Sequence, residues 1–334
     1  MMLPSQHRAW TWQGSADPAA LQLRELPLPI IEPGDLLVRN AVIGLNPVDW
    51  KVLGGDLVDW KHGHIPGVDG AGVVVAVGDG VPRTWIGQRV AYHQNLARYG
   101  SFAEYTAVRA HTVLRIPASV TFQDAASVPC PALTAWLAVE KLPASCQTLL
   151  VGGAGGSVAH HLVQLATRRG LHVDTLSHLR HTDRLQTLGA SNCLGGPLTD
   201  AWDNEATYDA VIDTVSADHA RWLAPALRAN GHLVCVQDRL QTPVWEPFTR
   251  TLSMHEVALG ASHAFGDTRT WRELVAVGEC LLNDVGSGEW RPDTLAPAPF
   301  DDLAAHLFGL QQRIFSGKAI VLLPDSLINE VDNV

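Results

Sequence analysis

The residues in this sequence most suited to chemistry are glycines placed between an apolar run and an amphipathic segment. Residues 149–166 read LLVGGAGGSVAHHLVQLA, with four glycines between positions 152 and 156. Glycine lets backbone N–H groups come close to a phosphate and adopt positive φ, and the N-terminus of a helix adds partial positive charge. The pattern predicts a diphosphate-binding turn formed by Gly153, Ala154, Gly155, Gly156, Ser157 and Val158.

The spacing of this turn departs from the usual GxGxxG fingerprint. It reads Gly153-x-x-Gly156-x-x-Ala159, and alanine stands where a third glycine would allow close packing of the helix against the strand. A plain tight turn is the alternative interpretation. Further strand and helix patterns follow the turn, and this context favours dinucleotide binding.

The end of the next predicted strand indicates which dinucleotide would bind. A carboxylate there would accept hydrogen bonds from a free ribose 2′-hydroxyl and repel a 2′-phosphate. The sequence instead has Ser177, His178 and Arg180 at that position, which are donors or cations and favour NADPH. Asp174 is a carboxylate that would favour NADH, but it lies three residues before Ser177, inside the predicted strand rather than at its end. The alternative is that Arg180 and the neighbouring histidines are ordinary residues of a solvated loop and bind no phosphate.

The elements that must position these residues lie in two regions whose patterns of apolar residues differ. From Leu21 to about Ile116, short apolar runs broken by glycine and proline predict an all-β, barrel-like unit. From about Ser127, apolar runs alternate with helical segments, which predicts a parallel sheet covered on both faces. The predicted strands are residues 148–153, 171–177, 208–215, 231–237 and 255–262, and the clearest helices are 157–170 and 216–231. Gly170 is the predicted stop of the first helix.

Composition and charge exclude several classes of protein. Of 334 residues, 46% are hydrophobic and 17% charged, which indicates a folded globular protein rather than a disordered one. Asp and Glu outnumber Lys and Arg by 34 to 24, so neither nucleic acid nor an anionic membrane is an expected partner. The five cysteines show no CxxC spacing and the N-terminus has no signal-peptide pattern, so we expect a reduced protein in the cytoplasm.

Several motifs together resemble a known family. The stretches GLNPVDWK (44–51), IPGVDGAGVVVAVG (65–78), GSFAEY (100–105), PALTAWLAV (131–139) and the glycine-rich turn are similar to those of the zinc-less medium-chain dehydrogenase/reductases. The resemblance is to the quinone oxidoreductase, or zeta-crystallin-like, branch, and it runs from about residue 20 to the end of the chain. It implies an α/β fold with a GroES-like β-barrel catalytic domain and a Rossmann domain built on a doubly wound parallel sheet.

The resemblance also implies how the chain divides and where ligands bind. The expected parts are residues 1–122 as the first part of the catalytic domain, 123–264 as the Rossmann domain and 265–334 as the completion of the catalytic domain. A ligand would bind in the cleft between the two domains. Thr134 stands where the family places a threonine near the nicotinamide, and Thr214 and Val236 are also expected to bind NADPH. Dimers formed through Rossmann edge strands are common in the family, which implies a homodimer.

The same resemblance argues against a catalytic zinc. Zinc-dependent relatives use a cysteine, a histidine and a second cysteine, and the corresponding positions here are Asn46, Val68 and Cys130. One thiol, even beside Asp69, is too few ligands for a tetrahedral ion. The segment that carries a structural zinc in some relatives contains no cysteine here. We therefore expect no metal.

The chemistry expected without a Lewis acid is hydride transfer from NADPH to an acceptor that is already electrophilic, such as a quinone or an α,β-unsaturated carbonyl. Asn46 is the expected hydrogen-bond donor, and Lys51 a cationic donor or proton source. Asp49 either orients Lys51 or caps the short helix predicted after Asn46. The stretch 53–64 lacks the tyrosine acid that some relatives reducing enoyl thioesters carry, so that substrate class is disfavoured.

Two other function classes stay open at this stage. A dinucleotide-binding protein with little turnover, acting as a structural or regulatory module, would use the same turn, and some members of the family are non-catalytic. A zinc-dependent alcohol dehydrogenase is the third hypothesis.

Tyr92 and Tyr99 are candidates for a proton donor, with aromatic packing as the alternative for each.

Overall fold

The computed structural model describes residues 3–55 and 57–324, and the chain divides into two compact units. The first unit is Met1–Cys130 together with Gly260–Val334, and the second is Pro131–Leu259. The domain boundaries expected after residues 122 and 264 stay predictions. Cys130, the last residue of the first unit before the second begins, donates its N–H to the carboxylate of Asp69, at 3.1 Å to each oxygen.

The secondary structure follows the pattern predicted from the sequence. Strands dominate the first unit, and strands alternate with helices in the second. The strands are β1 (Gln6–Thr11), β2 (Gln22–Pro27), β3 (Asp35–Gly44), β4 (Asp69–Val77), β5 (Arg89–His93), β6 (Tyr105–Arg109), β7 (Val113–Arg115), β8 (Thr148–Gly152), β9 (His172–Ser177), β10 (Asn192–Gly195), β11 (Tyr208–Asp213), β12 (Leu227–Cys235), β13 (Leu252–Glu256), β14 (Leu295–Pro299) and β15 (Lys318–Leu322). The α-helices are α1 (Pro47–Lys51), α2 (Phe122–Ala126), α3 (Pro129–Glu140), α4 (Ser157–Arg168), α5 (Thr182–Thr187), α6 (Ala217–Leu223), α7 (Ala261–Phe265), α8 (Thr268–Ser287) and α9 (Leu303–Gln311).

A mixed seven-stranded sheet forms the framework of the first unit. Its order is β14-β15-β3-β4-β5-β7, with β6 also paired to β3, and β1 and β2 form a separate antiparallel pair. All ten residues of β3 are buried, since β4, β6 and β15 all pair with this strand. The C-terminal strands β14 and β15 therefore complete a sheet that begins in the N-terminal part, as the resemblance to a GroES-like domain implies.

A parallel six-stranded sheet forms the second unit, in the order β10-β9-β8-β11-β12-β13. Successive side chains of a strand point to opposite faces, and β8 shows the consequence. Leu149 and Val151 pack in one core with Leu162 of α4, whereas Leu150 packs in another core with Leu223 of α6. Helices thus cover both faces of the sheet, which confirms the predicted Rossmann domain with a doubly wound sheet.

Two predicted elements of the second unit are shorter than expected. The helix predicted over 216–231 ends as α6 at Leu223, because Pro225 lacks the N–H that would continue it, and β12 follows. The strand predicted over 255–262 was largely wrong: β13 covers Leu252–Glu256, so the two share only His255 and Glu256, and residues 261–262 belong to α7. The short edge strand β10 was not predicted, since its sequence NCLG has no alternating pattern.

Candidate functional site

The glycine-rich turn joins β8 to α4 at the carboxyl edge of the parallel sheet. Gly153 has φ +75°, and a Cβ atom there would lie 2.5 Å from Cγ2 of Val215 and 2.6 Å from Oγ1 of Thr214. Glycine is required at this position, because both the backbone angle and the neighbouring side chains exclude a Cβ. Oγ1 of Thr214 donates to the carbonyl oxygens of Gly152 and Gly153, at 2.9 and 3.1 Å, and holds the turn in place.

The backbone N–H groups of the turn divide into two sets. Those of Gly153 and Ala154 donate to the carbonyl oxygen of Leu176, at 2.9 and 3.2 Å, which differs from their predicted role as phosphate donors. α4 begins at Ser157, and the first N–H groups of a helix have no acceptor within the helix. The N-terminus of α4, with Ser157 and Val158, is therefore the part of the predicted set suited to an anion.

The space beside the turn differs at its two remaining glycines. A Cβ atom at Gly156 would have no atom within 4 Å, and the φ of −90° suits any residue. A Cβ atom at Gly155 would instead lie 2.9 Å from Nε2 of His181. Open space at the start of a helix is what an approaching diphosphate requires, so Gly156 faces the candidate binding site.

Arg184 is a residue of this site that the sequence reasoning missed. It lies on α5, and its Nη2 donates to the carbonyl oxygens of Gly155 and Ala154, at 2.9 and 3.3 Å. A cation on these carbonyl groups stabilises the turn in the orientation that presents its other face to an anion. The donor-rich stretch that begins at Ser177 continues beyond Arg180 to Arg184, and this continuation was the available signal.

The end of β9 carries the residues predicted to select the dinucleotide. Ser177 is the last residue of β9 and is buried, whereas His178 and Arg180 are exposed. The N–H of Arg180 donates to Nδ1 of His178 at 3.1 Å, and Nε of Arg180 donates to Nε2 of His181 at 3.2 Å. Because His181 also lies against Gly155, the exposed Arg180 at the end of β9 is linked to the glycine-rich turn.

Asp174, the carboxylate whose presence would favour NADH, already accepts hydrogen bonds from other residues of the sheet. It is buried within β9, and its oxygens accept hydrogen bonds from Nδ2 of Asn192 at 2.9 Å and from the hydroxyl of Tyr208 at 2.8 Å. Nε2 of His172 lies 3.2 Å from the same carboxylate. Its oxygens thus join β9 to the adjacent strand β10 through Asn192 and to β11, on the far side of β8, through Tyr208.

The remaining residues predicted to bind the dinucleotide lie at separate places in the second unit. Thr214 and Val236 directly follow β11 and β12, so they share the carboxyl edge of the sheet with the glycine-rich turn. The N–H of Val236 donates to the carbonyl oxygen of Asp213 at 3.0 Å. Thr134 is a buried residue of α3, and its approach to a nicotinamide ring stays a prediction.

A buried polar cluster, formed by Asn46, Asp49, Asp69 and Lys318, lies in the first unit. Nδ2 of Asn46 donates to Oδ2 of Asp69 at 2.9 Å, and Nζ of Lys318 donates to Oδ1 of Asn46 at 2.6 Å. The side-chain amide of Asn46 is thus engaged through both of its ends. This differs from its predicted role as a donor to an acceptor molecule.

Asp49 caps α1 within this cluster. Its Oδ2 accepts the N–H of Asn46 at 2.7 Å, and its Oδ1 accepts the N–H of Val68 at 3.1 Å. Both oxygens therefore bind backbone donors, which matches the capping alternative. Burial raises the pKa of Asp49 to about 7, with the charge of Asp69 adding to the rise and the N–H donors opposing it. For Asp69, burial raises the pKa to about 6, and Lys318 and Asn46 limit the rise.

The cation in this cluster is Lys318, whereas the sequence reasoning selected Lys51. Lys51 is half-buried at the end of α1, with Nζ 5.8 Å from the ring centroid of Trp50. Lys318 is the first residue of β15 and is not among the residues that the sequence analysis selected. A buried lysine at the start of a strand far along the chain has no local sequence signal.

The two tyrosines considered as proton donors have packing roles. Tyr92 is fully buried and its hydroxyl donates to Oδ1 of Asn40 at 2.7 Å, and burial raises the pKa of this hydroxyl. Tyr99 is 53% exposed, and its ring meets His64 edge-on with centroids 5.3 Å apart.

The positions that correspond to zinc ligands in zinc-dependent relatives do not form a tetrahedral donor set. Val68 is buried and apolar, and the amide oxygen of Asn46 already accepts a hydrogen bond from Lys318. Across residues 3–55 and 57–324, no group of three or more His, Cys, Asp or Glu side chains is placed to hold a metal ion. The residues present therefore do not fit zinc.

Comparisons with known proteins agree with this geometry. Residues 32–118 match the family described as the alcohol dehydrogenase GroES-like domain. The chain is 31% identical over 231 residues to a chloroplastic quinone-oxidoreductase homolog of Spinacia oleracea, which covers 64% of this chain and 70% of that protein. It is also 31% identical over 226 residues to the 2-methylene-furan-3-one reductase of Solanum lycopersicum, covering 64% of this chain and 58% of that protein.

A solved structure shows the same fold along nearly the whole chain. A mycobacterial quinone oxidoreductase superimposes with a TM-score of 0.80 at 24% identity, covering 95% of this chain and all of that one. This likeness confirms the pairing of a GroES-like domain with a Rossmann-like parallel sheet. Among the helices of the described residues, none has the length and apolar composition that crossing a membrane requires.

Proposed function

Because the chain belongs to the quinone oxidoreductase branch of the medium-chain dehydrogenase/reductases, we propose that it reduces a quinone or an α,β-unsaturated carbonyl with NADPH and without a catalytic metal. The coarser activity follows from the family: the chain is an NAD(P)H-dependent oxidoreductase that acts on a small molecule. The choice of NADPH, the acceptor class and the independence from metal are the proposal.

The observation that carries the proposal is the open N-terminus of α4 beside Gly156. A Cβ atom at Gly156, the residue directly before α4, would meet nothing within 4 Å, and the N–H groups of the first helical turn and the positive end of the helix dipole lie at this end of α4. Gly153 and Ala154 shape the turn through Leu176, and Arg184 holds its carbonyl groups. These contacts support the binding of the diphosphate of a dinucleotide at Ser157 and Val158.

The choice of NADPH is supported by the charges at the end of β9. The carboxylate of Asp174 is bound to Asn192 and Tyr208, which leaves it unsuited to accept a ribose 2′-hydroxyl. His178 and Arg180 are exposed at the same end, where a 2′-phosphate would gain charge-assisted hydrogen bonds. We therefore assign the 2′-phosphate to Arg180, with Ser177 and His178 beside it.

The acceptor must be electrophilic without help from a metal ion. Bound NADPH supplies a hydride, and the conjugated carbonyl of the acceptor takes the electron pair and then a proton on the oxygen or carbon that gains charge. We assign the proton or a stabilising positive charge to Lys51, which is half-buried at the end of α1. Asn46 and Asp49 are engaged within the buried cluster, so we assign them the positioning of α1.

The test follows NADPH absorbance when the purified chain is mixed with a panel of quinones and α,β-unsaturated carbonyls in the presence of EDTA. We expect absorbance to fall with at least one acceptor and to fall faster with NADPH than with NADH. Tight NADPH binding without turnover on any acceptor would favour the structural or regulatory alternative. Activity that EDTA removes and one zinc per chain restores would favour a zinc-dependent alcohol dehydrogenase.

Three further predictions concern the oligomeric state, the cellular location and the partner of the protein. A homodimer and a cytoplasmic location stay predictions from the sequence and the family. All five cysteines lie in the described residues and none of them forms a disulfide there, which supports a reducing compartment. The acidic composition supports a small-molecule partner rather than nucleic acid.

A further inference from the structure

Asp213 and His219 form a buried pair in the second unit, and the reaction proposed above gives neither residue a role. Asp213 is the last residue of β11 and His219 lies on α6, and each is 1% exposed. Oδ1 of Asp213 accepts a hydrogen bond from Nδ1 of His219. At the other side of the ring, Nε2 of His219 accepts the N–H of Leu198 at 3.1 Å. Both ring nitrogens are therefore engaged inside the protein.

The contacts of His219 determine where its ring proton lies. A backbone N–H can only donate, so the Nε2 atom that faces Leu198 carries a lone pair. The proton therefore lies on Nδ1, where the carboxylate of Asp213 accepts it. Because the two nitrogens belong to one rigid ring, His219 holds Asp213 and Leu198 at a fixed spacing.

The Asp213 side of the pair reaches the glycine-rich turn. Oδ2 of Asp213 accepts the N–H groups of Val215 and Ser216, each at 3.0 Å, and these bonds fix the turn that follows β11. Thr214 lies in this turn, and its hydroxyl donates to the carbonyl oxygen of Gly152 at 2.9 Å. A Cβ atom at Gly152 would lie 2.8 Å from Oδ1 of Asp213. The carboxylate thus lies directly against the backbone that leads into the glycine-rich turn.

The Leu198 side of the pair reaches the end of β9. Leu198 follows β10, and in the same segment the N–H of Gly196 donates to the carbonyl oxygen of Ser177 at 2.9 Å. Ser177 is the last residue of β9, and Arg180 follows it. Strands β9 and β8 lie between β10 and β11 in the sheet. His219 therefore connects two segments whose strands do not pair with each other.

We propose that His219 is a positioning residue that holds the two parts of the dinucleotide site at a fixed spacing, and that its bond to Leu198 contributes to the preference for NADPH. The diphosphate part depends on the turn after β11, and the 2′-phosphate part depends on the end of β9. NADH lacks the 2′-phosphate, so releasing the Leu198 side alone should weaken NADPH binding more than NADH binding. The inference rests on the dinucleotide site proposed above and adds a buried residue that acts through its neighbours.

The experiment breaks the bond between His219 and Leu198 from each of its ends, and calorimetry measures the binding of NADPH and NADH to the full chain. His219→Asn keeps a donor for Asp213, because an asparagine amide nitrogen reaches as far as Nδ1, but it places no acceptor at the position of Nε2. Leu198→Pro removes the N–H, and Leu198→Ala keeps it as the matched control. We expect His219→Asn and Leu198→Pro to raise the Kd for NADPH relative to that for NADH by roughly two- to tenfold, the equivalent of one uncharged hydrogen bond. Leu198→Ala should leave the ratio unchanged.

A double variant separates positioning from general destabilisation. His219→Asn and Leu198→Pro remove the same hydrogen bond, so the combined variant should change the ratio no further than either single variant. Equal weakening of NADPH and NADH in both single variants overturns the proposal, and so do additive changes in the double variant. If His219→Asn is too unstable for calorimetry, Leu198→Pro decides, since Leu198 is half-buried and its variant leaves the buried pair intact.

A spectroscopic measurement tests the geometry in the natural chain. Nitrogen-15 NMR distinguishes a protonated from an unprotonated ring nitrogen, and the signals of His219 are those that disappear in His219→Asn. We expect a proton on Nδ1 and none on Nε2. A proton on Nε2 is incompatible with the bond from Leu198 and contradicts the proposal.

The reductase assay keeps this inference separate from the proposed function. A chain that reduces no acceptor, but whose binding ratio changes as expected in both variants, contradicts the proposed reaction and supports the positioning role of His219. An active chain whose ratio is unchanged in both variants does the reverse. A natural chain that binds NADPH no more tightly than NADH contradicts both, because the bond to Leu198 would then have no preference to support.

Discussion

The guanidinium group of Arg184 donates a hydrogen bond of 2.9 Å to the carbonyl oxygen of Gly155 and another of 3.3 Å to that of Ala154. One cation on α5 thus holds two successive carbonyl groups of the turn between β8 and α4. These peptide units directly precede α4, at whose N-terminus an anion is expected to bind. Arg184 therefore stabilises the turn without itself needing to contact the dinucleotide.

Arg184→Gln should weaken the binding of NADPH and of NADH by the same factor. Hydrogen bonds from a charged donor are worth about 1.5–3 kcal/mol, so we expect roughly ten- to hundredfold weaker binding of both. Calorimetry with the two dinucleotides measures this effect, and Arg24→Gln on the exposed strand β2 is a charge-matched control. A loss confined to NADPH would instead show that Arg184 binds the 2′-phosphate.

Arg180→Glu should weaken NADPH binding more than NADH binding. A carboxylate at the exposed end of β9 would repel a 2′-phosphate, which NADH lacks. We expect the ratio of the two dissociation constants to change by at least about tenfold, or about 1.4 kcal/mol. Equal losses for the two dinucleotides would mean that the phosphate is bound elsewhere.

Substitutions at Gly156 and Gly153 should have opposite effects on binding and stability. Gly156→Val places a side chain in the open space beside α4, so it should abolish NADPH binding while the Tm changes little. Gly153→Val must adopt a φ of +75° against Val215 and Thr214, so it should lower the Tm markedly. Calorimetry and thermal unfolding of both variants check the contrast. Undisturbed NADPH binding by Gly156→Val would place the diphosphate away from this turn.

Asn46→Ala should lower both stability and turnover and leave NADPH affinity nearly unchanged. The variant removes the amide that joins Lys318 to Asp69, and a buried group without its partner costs about 1–3 kcal/mol. Urea denaturation measures the loss of stability, and steady-state kinetics with a quinone measures turnover. A variant with an unaltered turnover rate would remove Asn46 from the mechanism.

The stability of the chain should fall as the pH decreases from 6.5 toward 4, in part because of His64. This ring is buried against Trp60, with centroids 4.4 Å apart, and burial lowers its pKa from 6.5 to about 4. The unfolded chain binds a proton at pH values where the folded chain does not, so the stability present above 6.5 is lost as the pH falls through about 4.

His64→Phe keeps a stacked ring and removes this titration. The natural chain should lose up to about 3 kcal/mol more than the variant between pH 7 and pH 4. Urea denaturation of both chains at the two pH values provides the measurement. Parallel loss of stability in the two chains would assign the acid sensitivity to other groups.

The agreement between sequence and structure is closest where the controlling forces are local. β8, the glycine-rich turn and α4 were predicted because an apolar run, glycines and a helical period lie next to one another along the chain. The end of α4 at Gly170, with φ +85°, also follows from a local preference. The helix predicted over 216–231 was too long because the local signal of Pro225 was overlooked.

The sequence by itself determined the two kinds of unit and the glycine-rich turn, because each depends on periodicity or backbone preference over a few residues, and the resemblance to a known family added the fold class. Only the tertiary structure decided which cation enters the buried cluster. Lys51 lies five residues from Asn46, yet Lys318 makes the contact, because the pairing of β15 with β3 joins two distant parts of the chain. Such a contact depends on strand register and burial, which no short stretch of sequence encodes.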